Sequence, residues 1–288
     1  MNSAGSGTDE RLPVDFLRRM AAMLATGRVE LPAFPQVVIQ VQEVLKNPNY
    51  TAPMIARPIS AEPALAARLL NMANSTAFNA TGRVIIDLGV ALTRLGSQKV
   101  YSVVLAHAIR EVTRAESMRS IAPRLEEVWS DSVAVAHFAD AVAKRTRLHL
   151  QDAFAAGLLH QMGHFYILAQ CVQPAPPQPL IVLRNDLVQE WHPRIGKAVL
   201  ENWHMNRDVC DAVGAQAGVD TAHAGGATLT DVLIAGIRLA RRLSNAHDSS
   251  SLSAGGVLAR LNLAMEDCQR LIAQADPEVR ALQRAMRR

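Results

Sequence analysis

Residues 157–164 read Gly157-Leu158-Leu159-His160-Gln161-Met162-Gly163-His164 and lie within the most apolar part of the chain. Apolar residues recur with helical periodicity from about Asp152 to Cys171, which predicts one long helix in a helical core. An adjacent histidine and aspartate would supply the imidazole and carboxylate of a hydrolytic metal centre. Here the histidine is followed by Gln161, whose neutral amide neither bridges two cations nor balances their charge. The segment therefore raises the question of a metal-dependent hydrolase and argues against it.

The rest of the chain also has helical periodicity nearly everywhere, and no segment shows the alternation of a credible strand. The composition agrees, because 49% of the residues are hydrophobic but only 4% are aromatic, and alanine and leucine carry most of the apolar content. Such a balance favours packed helices over a sheet. The 288 residues suffice for one large domain or two small ones. We expect an all-α fold of two packed helical subdomains, divided near residue 115.

Several segments are expected to lie outside these two subdomains. Residues 1–28 are predicted to be a flexible N-terminus and a leading helix, and the polar first ten residues resemble neither a signal peptide nor an anchor. Residues 174–179 are rich in proline and predict an exposed loop. Residues 241–288 are predicted to form a C-terminal helical extension that begins with a polar loop at about 247–253.

Charge and cysteine content bear on the partner and the compartment. The net charge of +4 is modest, and the clustered arginines carry no interleaved aromatic residues, so nucleic-acid binding is not indicated. The three cysteines are far apart and have no CxxC spacing, which predicts reduced thiols in a cytoplasmic protein. The most apolar window contains His160, Gln161 and His164 and stops at Pro174. A core helix explains that window better than a membrane span does.

The segment Gly157–Gly163 is similar to the "GLLHD-G" segment of the HD phosphohydrolase superfamily. The chain more specifically resembles an HDOD domain, the HD-related output domain of bacterial signalling proteins, over roughly residues 29–240. The segments that carry this resemblance are, in order, Leu31–Pro35, Ile59–Leu65, Arg68–Ser75, Ala91–Gly96, and His192–Gly196 leading to Trp203. Glu62 stands where the family usually has aspartate. The resemblance implies an N-terminal helical bundle over about 29–115 and a degenerate, HD-phosphohydrolase-like helical half over about 116–240.

In the active relatives, an upstream histidine, the His-Asp pair and a later aspartate meet around one or two metals. The resemblance places Asp131 at the upstream histidine, Gln161 at the carboxylate of the pair and Arg241 at the later aspartate. Only His160 is left as a vestigial ligand, and an arginine at a cation site repels a metal. The resemblance therefore implies no catalytic residue, no bound metal and no cofactor.

His160 and His164 allow a second interpretation, because histidines at i and i+4 of a helix can share a metal. A third ligand could come from His192, Asp131 or Asp152, although nothing in the spacing requires it. The simpler interpretation is that His160 is a buried, hydrogen-bonded remnant and that His164 lies near the surface.

Residues 71–75, which read Asn71-Met72-Ala73-Asn74-Ser75, form the main polar cluster of the N-terminal bundle. Asparagine and serine within a helix usually cap it, hydrogen-bond to a neighbouring segment or face a ligand. We expect them to hold the following turn, with ligand contact as the alternative. The binding surface is predicted in the cleft between the two halves, where arginines could supply charge for an acidic partner or a phosphate. The predicted binding residues are Arg68, Asn71, Asn74, Arg94, Asp131, His160, Gln161 and His192.

Two functions remain as hypotheses. The first is a non-catalytic signal-transduction output or adaptor module that binds a signalling protein, or a small ligand such as a nucleotide second messenger. The second is a metal-dependent HD-type phosphohydrolase that acts on a nucleotide or a cyclic dinucleotide. The resemblance and the missing carboxylate at Gln161 both favour the first.

Overall fold

The computed structural model describes residues 36–79, 81–113, 116–149, 152–171, 185–217, 225–245 and 256–287, together with residues 18, 22 and 26. Over these segments the regular elements are helices, without a strand, so the prediction of an all-α fold is confirmed. The predicted proline-rich loop at 174–179, the polar loop at 247–253 and nearly all of the leading helix lie outside the described residues.

The N-terminal bundle contains five helices within the described residues: α1 (Gln36–Lys46), α2 (Ala52–Ser60), α3 (Pro63–Ala73), α4 (Leu88–Leu95) and α5 (Ser97–Thr113). Their ends follow from local sequence. Pro63 begins α3, where its missing N–H is not needed. Asp87 caps α4 by accepting a hydrogen bond from the Val90 amide at 2.8 Å. Gly96 ends the same helix with a positive φ of 78°.

The second half begins with a 3-10 turn (Glu116–Ile121) and continues with α6 (Ala122–Thr146), α7 (Ala153–Leu159), α8 (Met162–Cys171), α9 (Asn185–Asn202), α10 (Arg207–Ala215) and α11 (Leu229–Ser244). Two further helices follow, α12 (Val257–Arg260) and α13 (Met265–Arg287). Helix α6 is central to the packing, because α7, α11 and α13 all lie against it. Helix α13 also contacts α3 of the N-terminal bundle.

The prediction of a single helix from Asp152 to Cys171 is wrong. The helix is interrupted at His160 and Gln161, which form a turn between α7 and α8. The backbone carbonyl of His160 accepts a hydrogen bond from Gln216 Nε2 at 2.7 Å, while the His160 ring contacts the Gly157 carbonyl at 2.7 Å. Hydrophobic periodicity does not register such side-chain bonds. The interruption directs both polar side chains towards one cavity.

Helix α9 differs from sequence expectation in the opposite sense. Pro193 predicts a boundary between helices over about 180–190 and 193–203, whereas one continuous helix is found through this proline. A proline inside a helix removes one backbone hydrogen bond and usually ends or kinks the helix. Here His192, Pro193 and Ile195 are all buried, and α9 packs closely against α8. We attribute the continuity to this burial, which offsets the lost bond.

Two glycines allow the central helices to approach each other. A Cβ built on Gly157 would lie 2.5 Å from Ala136 Cα in α6, and one built on Gly163 would lie 1.9 Å from the His192 carbonyl oxygen in α9. Both obstacles are backbone atoms, which cannot rotate away. Close packing of these helices therefore explains why positions 157 and 163 of the motif are glycines.

The two halves share one hydrophobic core. Helix α5 packs against α7, and a largely buried salt bridge joins Lys99 Nζ of α5 to Asp140 Oδ1 of α6 at 2.9 Å. The boundary predicted at residue 240 falls inside α11. In the part of the chain that is described, none of the helices has the length and apolar character needed to cross a membrane.

Candidate functional site

A cavity of about 1330 Å³ lies in the second half, at the turn between α7 and α8. Asp131 of α6, His160 and Gln161 contribute to its lining at this turn. Helices α9, α10 and α11 supply most of the remaining lining, and the short helix α12 adds Val257 and Arg260. Among the described residues, the cavity therefore includes side chains from the C-terminal extension and none from the N-terminal bundle.

The eight predicted binding residues do not share one cleft. Asp131, His160, Gln161 and His192 line the cavity together. The four predicted residues of the N-terminal bundle are not among its described lining residues, so the structure does not bring all eight together around this cavity. The reason is helix phase, since several of those side chains are directed into the bundle or onto its own turns. The arginines and asparagines concerned are Arg68, Asn71, Asn74 and Arg94.

Two of these N-terminal residues hold the turn between α3 and α4. Asn74 Nδ2 donates to the carbonyls of Leu70 at 2.9 Å and Ile85 at 2.7 Å, and its Oδ1 accepts from the Ile85 amide at 2.8 Å. Arg94 Nη1 donates to Asn79 Oδ1 at 2.8 Å. The expectation that Asn74 holds the following turn is confirmed by these contacts.

Arg68 and Asn71 differ from each other in exposure. Arg68 was predicted to supply charge at a binding surface, but its side chain is buried, with 1% of the residue exposed. It lies on the face of α3 that carries Leu65, Leu69 and Met72 into the core, since residues three or four apart share one helix face. Asn71 is exposed to solvent.

Asp131 and Gln161 are joined by a short hydrogen bond in which Gln161 Nε2 donates to Asp131 Oδ2. The other end of the same amide is also occupied, because Gln161 Oε1 lies 3.0 Å from His164 Nδ1. An amide oxygen can only accept, so His164 Nδ1 must carry the proton. Gln161 thus connects the carboxylate of α6 to a histidine of α8.

The expectation that His164 lies near the surface is wrong. Only 5% of this residue is exposed, because the turn at residues 160–161 directs α8 into the interior against α9. Its ring lies 6.1 Å from that of His192, measured between centroids. His160 is buried, as the simpler interpretation predicted.

The histidines at this site have pKa values below the ordinary value of 6.5. Burial, with smaller contributions from neighbouring positive charges, lowers the pKa of His164 to about 4 and that of His192 to about 3. Burial also lowers the pKa of His160, although Asp131 Oδ2 lies 3.8 Å from its Nε2 and acts in the opposite direction. The cost of desolvating the imidazolium therefore outweighs the attraction of the carboxylate. All three rings are neutral near pH 7.

The side chains at this turn do not fit the metal centre that the motif implies. Asp131 and His160 could each offer one ligand, but the amide nitrogen of Gln161 is directed at the Asp131 carboxylate. The positive charge of Arg241 lies near enough to contribute to the lowered pKa of His160. Over the described ranges, no group of three or more histidine, cysteine or acidic side chains is arranged to hold a metal ion. We therefore assign no step to a metal.

Several residues of the cavity were not singled out from the sequence. Asp231 is buried in the first turn of α11, where it accepts hydrogen bonds from the Thr228 amide at 2.8 Å and hydroxyl at 3.0 Å. Two nitrogens of Arg260 donate to its other oxygen, at 3.0 and 2.7 Å. The spacing Thr228-x-x-Asp231 is a recognisable helix-capping signal. Nothing in the sequence indicates the pairing with Arg260, which fixes α12 against α11.

Comparison with known proteins agrees with this architecture. The HDOD domain family matches residues 31–219, well over half of the chain. An uncharacterised protein of Treponema pallidum is 23% identical over 209 residues, which cover 68% of this chain and only 39% of that protein. The matched region therefore spans much less than two thirds of this relative.

Solved structures of similar proteins show the same fold. A protein of Shewanella amazonensis, provisionally named as a metal-dependent phosphohydrolase, has a TM-score of 0.70 at 22% identity, covering 96% of this chain and 99% of that one. An HDOD domain protein of Geobacter sulfurreducens has a TM-score of 0.64 at 19% identity, covering 95% and 98%. A protein of Marinobacter aquaeolei, provisionally named for signal transduction, has a TM-score of 0.62 at 20% identity, covering 96% and 66%. The match to the family, together with this fold, shows that the chain belongs to the HDOD domain family.

Proposed function

We propose that this chain is a non-catalytic signalling output or adaptor module, which acts by binding and not by hydrolysis. The observation that carries the proposal is the hydrogen bond between Gln161 and Asp131. A catalytic centre of the HD type needs ionised carboxylates directed at cations, whereas here an amide donor occupies the carboxylate of Asp131. With Arg241 near His160, the local charge also opposes a cation.

Membership of the HDOD family supports a role in signalling, and the Marinobacter relative is provisionally named for such a role. The cavity next to Gln161 has a volume of about 1330 Å³, so a ligand-sized space remains beside side chains that do not suit catalysis. We expect the module to bind a signalling protein or a small signalling ligand in the cytoplasm. The alternative, a metal-dependent phosphohydrolase, would have to use His160 and Asp131 with a rearranged set of ligands.

A phosphodiesterase assay of the full chain tests this proposal. The protein is incubated with Mn²⁺ and bis(p-nitrophenyl) phosphate, and separately with cyclic dinucleotides, alongside a His160→Ala variant prepared in the same way. We expect no turnover by the wild type above the rate of that variant. Turnover by the wild type that is lost in His160→Ala would overturn the proposal, because contaminating hydrolases would act equally in both samples.

A further inference from the structure

The charges around the cavity suggest what it binds. Among its described lining residues are four arginines, Arg194, Arg238, Arg241 and Arg260, and three carboxylates, Asp131, Glu190 and Asp231. Two of the carboxylates are already engaged, Asp231 by Arg260 and Asp131 by Gln161. Gln161 is neutral and leaves the charge of Asp131 in place, so the four arginines and three carboxylates of the described lining give an excess of one positive charge.

Helix α11 distributes this charge along its length. Its residues Thr230, Ile234, Ile237 and Arg241, spaced three or four apart, all line the cavity. The positive end of the helix dipole is already balanced, because the Asp231 carboxylate lies in the first turn. Towards the C-terminal end of the stripe, where the helix dipole is negative, it is the side-chain charge of Arg238 and Arg241, and not the dipole, that favours an anionic group.

Arg241 is the arginine best placed to receive such a group. It forms no ion pair or hydrogen bond with the part of the chain that the structure describes, and it is exposed in the cavity wall. It lines the same cavity as His160 and His192, and its charge contributes to the lowered pKa values of both. By contrast, the neighbouring Arg242 donates to the Asn245 carbonyl at 3.4 Å, at the end of the helix.

His192 is a second polar side chain of the cavity lining. Only 6% of this residue is exposed, and its Nδ1 has no hydrogen-bond partner among the described residues. A buried polar atom without a partner costs about 1–3 kcal/mol, but this nitrogen has almost no accessible surface, so the ring would have to turn before a ligand in the cavity could meet it. The ring is neutral near pH 7, so it can hydrogen-bond to a ligand without adding charge.

The size and the apolar wall indicate more than a free anion. The volume of about 1330 Å³ exceeds the range of roughly 300–1,000 Å³ that is usual for small-molecule sites. Ile234 and Ile237, which are both half-buried, contribute apolar side chains to the lining of the cavity. We propose that the cavity binds a phosphate ester of nucleotide size, with the Arg241 guanidinium receiving the phosphate beside the vestigial His160. This inference rests on the proposed function, since it names the ligand class of the same site.

Calorimetric titration of the full chain with nucleotides tests the inference. The probes are AMP and GMP, each compared with its nucleoside, which lacks only the phosphate. We expect saturable binding of at least one monophosphate, and binding of its nucleoside at least tenfold weaker. Arg241→Gln should weaken the monophosphate by roughly 10- to 100-fold, because a charge-assisted hydrogen bond is lost.

Arg242→Gln is the matched control, because it removes the same charge from the adjacent position of α11. It should leave both the affinity and the melting temperature of the wild type unchanged, and Arg241→Gln should also keep the wild-type melting temperature. Absence of binding by both monophosphates at millimolar concentration would overturn the inference, as would equal affinities in the two variants. Neither result would affect the proposed function, which fails only if the protein hydrolyses phosphodiesters through His160.

Discussion

Replacing Gly163 by alanine should destabilise the protein strongly, although alanine is the better helix former. The added Cβ would lie 1.9 Å from the His192 carbonyl oxygen, whereas ordinary contacts begin at 3.4 Å, so α8 and α9 would have to separate by about 1.5 Å. A gap of even 0.5–1 Å forfeits about a quarter to a half of the dispersion attraction between facing atoms. Overpacking typically costs about 1–3 kcal/mol, and the backbone obstacle at this position favours the upper end.

The gain in helix propensity opposes this cost but is smaller, at most about 1 kcal/mol. We therefore expect Gly163→Ala to lower the free energy of unfolding by about 2 kcal/mol or more. That corresponds to a fall of about 4–8 °C in melting temperature for a domain of this size. Thermal unfolding followed by circular dichroism measures the change.

Gly226→Ala provides the control, because a Cβ there would meet nothing within 4 Å and the backbone has no positive φ. This variant should be neutral or more stable by about 0.4–1 kcal/mol, since alanine restricts the unfolded chain. If Gly163→Ala melts at or above the temperature of Gly226→Ala, the argument that this glycine permits the close packing of α8 and α9 is wrong.

Two further predictions concern buried polar groups. Asp231→Ala should lower the free energy of unfolding by about 3 kcal/mol or more, because it leaves the largely buried Arg260 without its partner. In a double-mutant cycle with Arg260→Met, the two losses of unfolding free energy should not add. Additivity within about 0.5 kcal/mol would contradict a strong pair. The pKa of His192 is lowered to about 3 in the folded protein, against an ordinary value of 6.5. The neutral ring therefore contributes its full stability above pH 6.5, and this contribution is lost as the pH falls towards the folded-state pKa, because the unfolded chain takes up a proton first. Urea unfolding of the wild type between pH 7 and pH 4 should show a loss of unfolding free energy with falling pH, and this loss should be smaller in His192→Gln by up to about 1.4 kcal/mol per pH unit. Parallel curves for the two proteins would refute the assignment of a neutral, buried His192.

The fold was largely predictable because its signals are local. Hydrophobic periodicity gave the helical class, and Asp87, Gly96 and Pro63 mark helix ends through their own backbone chemistry. The errors arose where distant contacts override local preference. Gln216 Nε2 donates not only to the nearby Val213 carbonyl but also to the distant His160 carbonyl at the turn between α7 and α8. Burial against α8 accompanies the continuation of α9 through Pro193.

The site was predictable only in its central part. The resemblance brought Asp131, His160, Gln161 and Arg241 into one comparison, and the structure places them around one cavity. The phase of a helix is poorly determined by sequence alone, so Arg68 was expected at a surface and is found buried in α3. Arg260 could not be assigned to the cavity from the sequence, because it pairs with Asp231, 29 residues away in the chain, through tertiary packing.

The cavity also extends beyond the part of the chain that matches the family. The match ends at residue 219, whereas Arg241 on α11 and Arg260 on α12 both line the cavity. The features that we relate to ligand choice therefore lie outside the matched residues. Relatives with a similar fold need not bind the same ligand.

Titration of the protein with Mn²⁺ by calorimetry tests the central claim most directly, since it examines the cation site without requiring a substrate. The comparison is a triple variant, Asp131→His, Gln161→Asp and Arg241→Asp, which restores the ligand types found in active relatives beside His160. We predict no saturable binding of Mn²⁺ to the wild type at micromolar concentration, and binding to the triple variant where it retains the wild-type helical content. Binding of about one Mn²⁺ per wild-type chain that is abolished by His160→Ala would contradict the account.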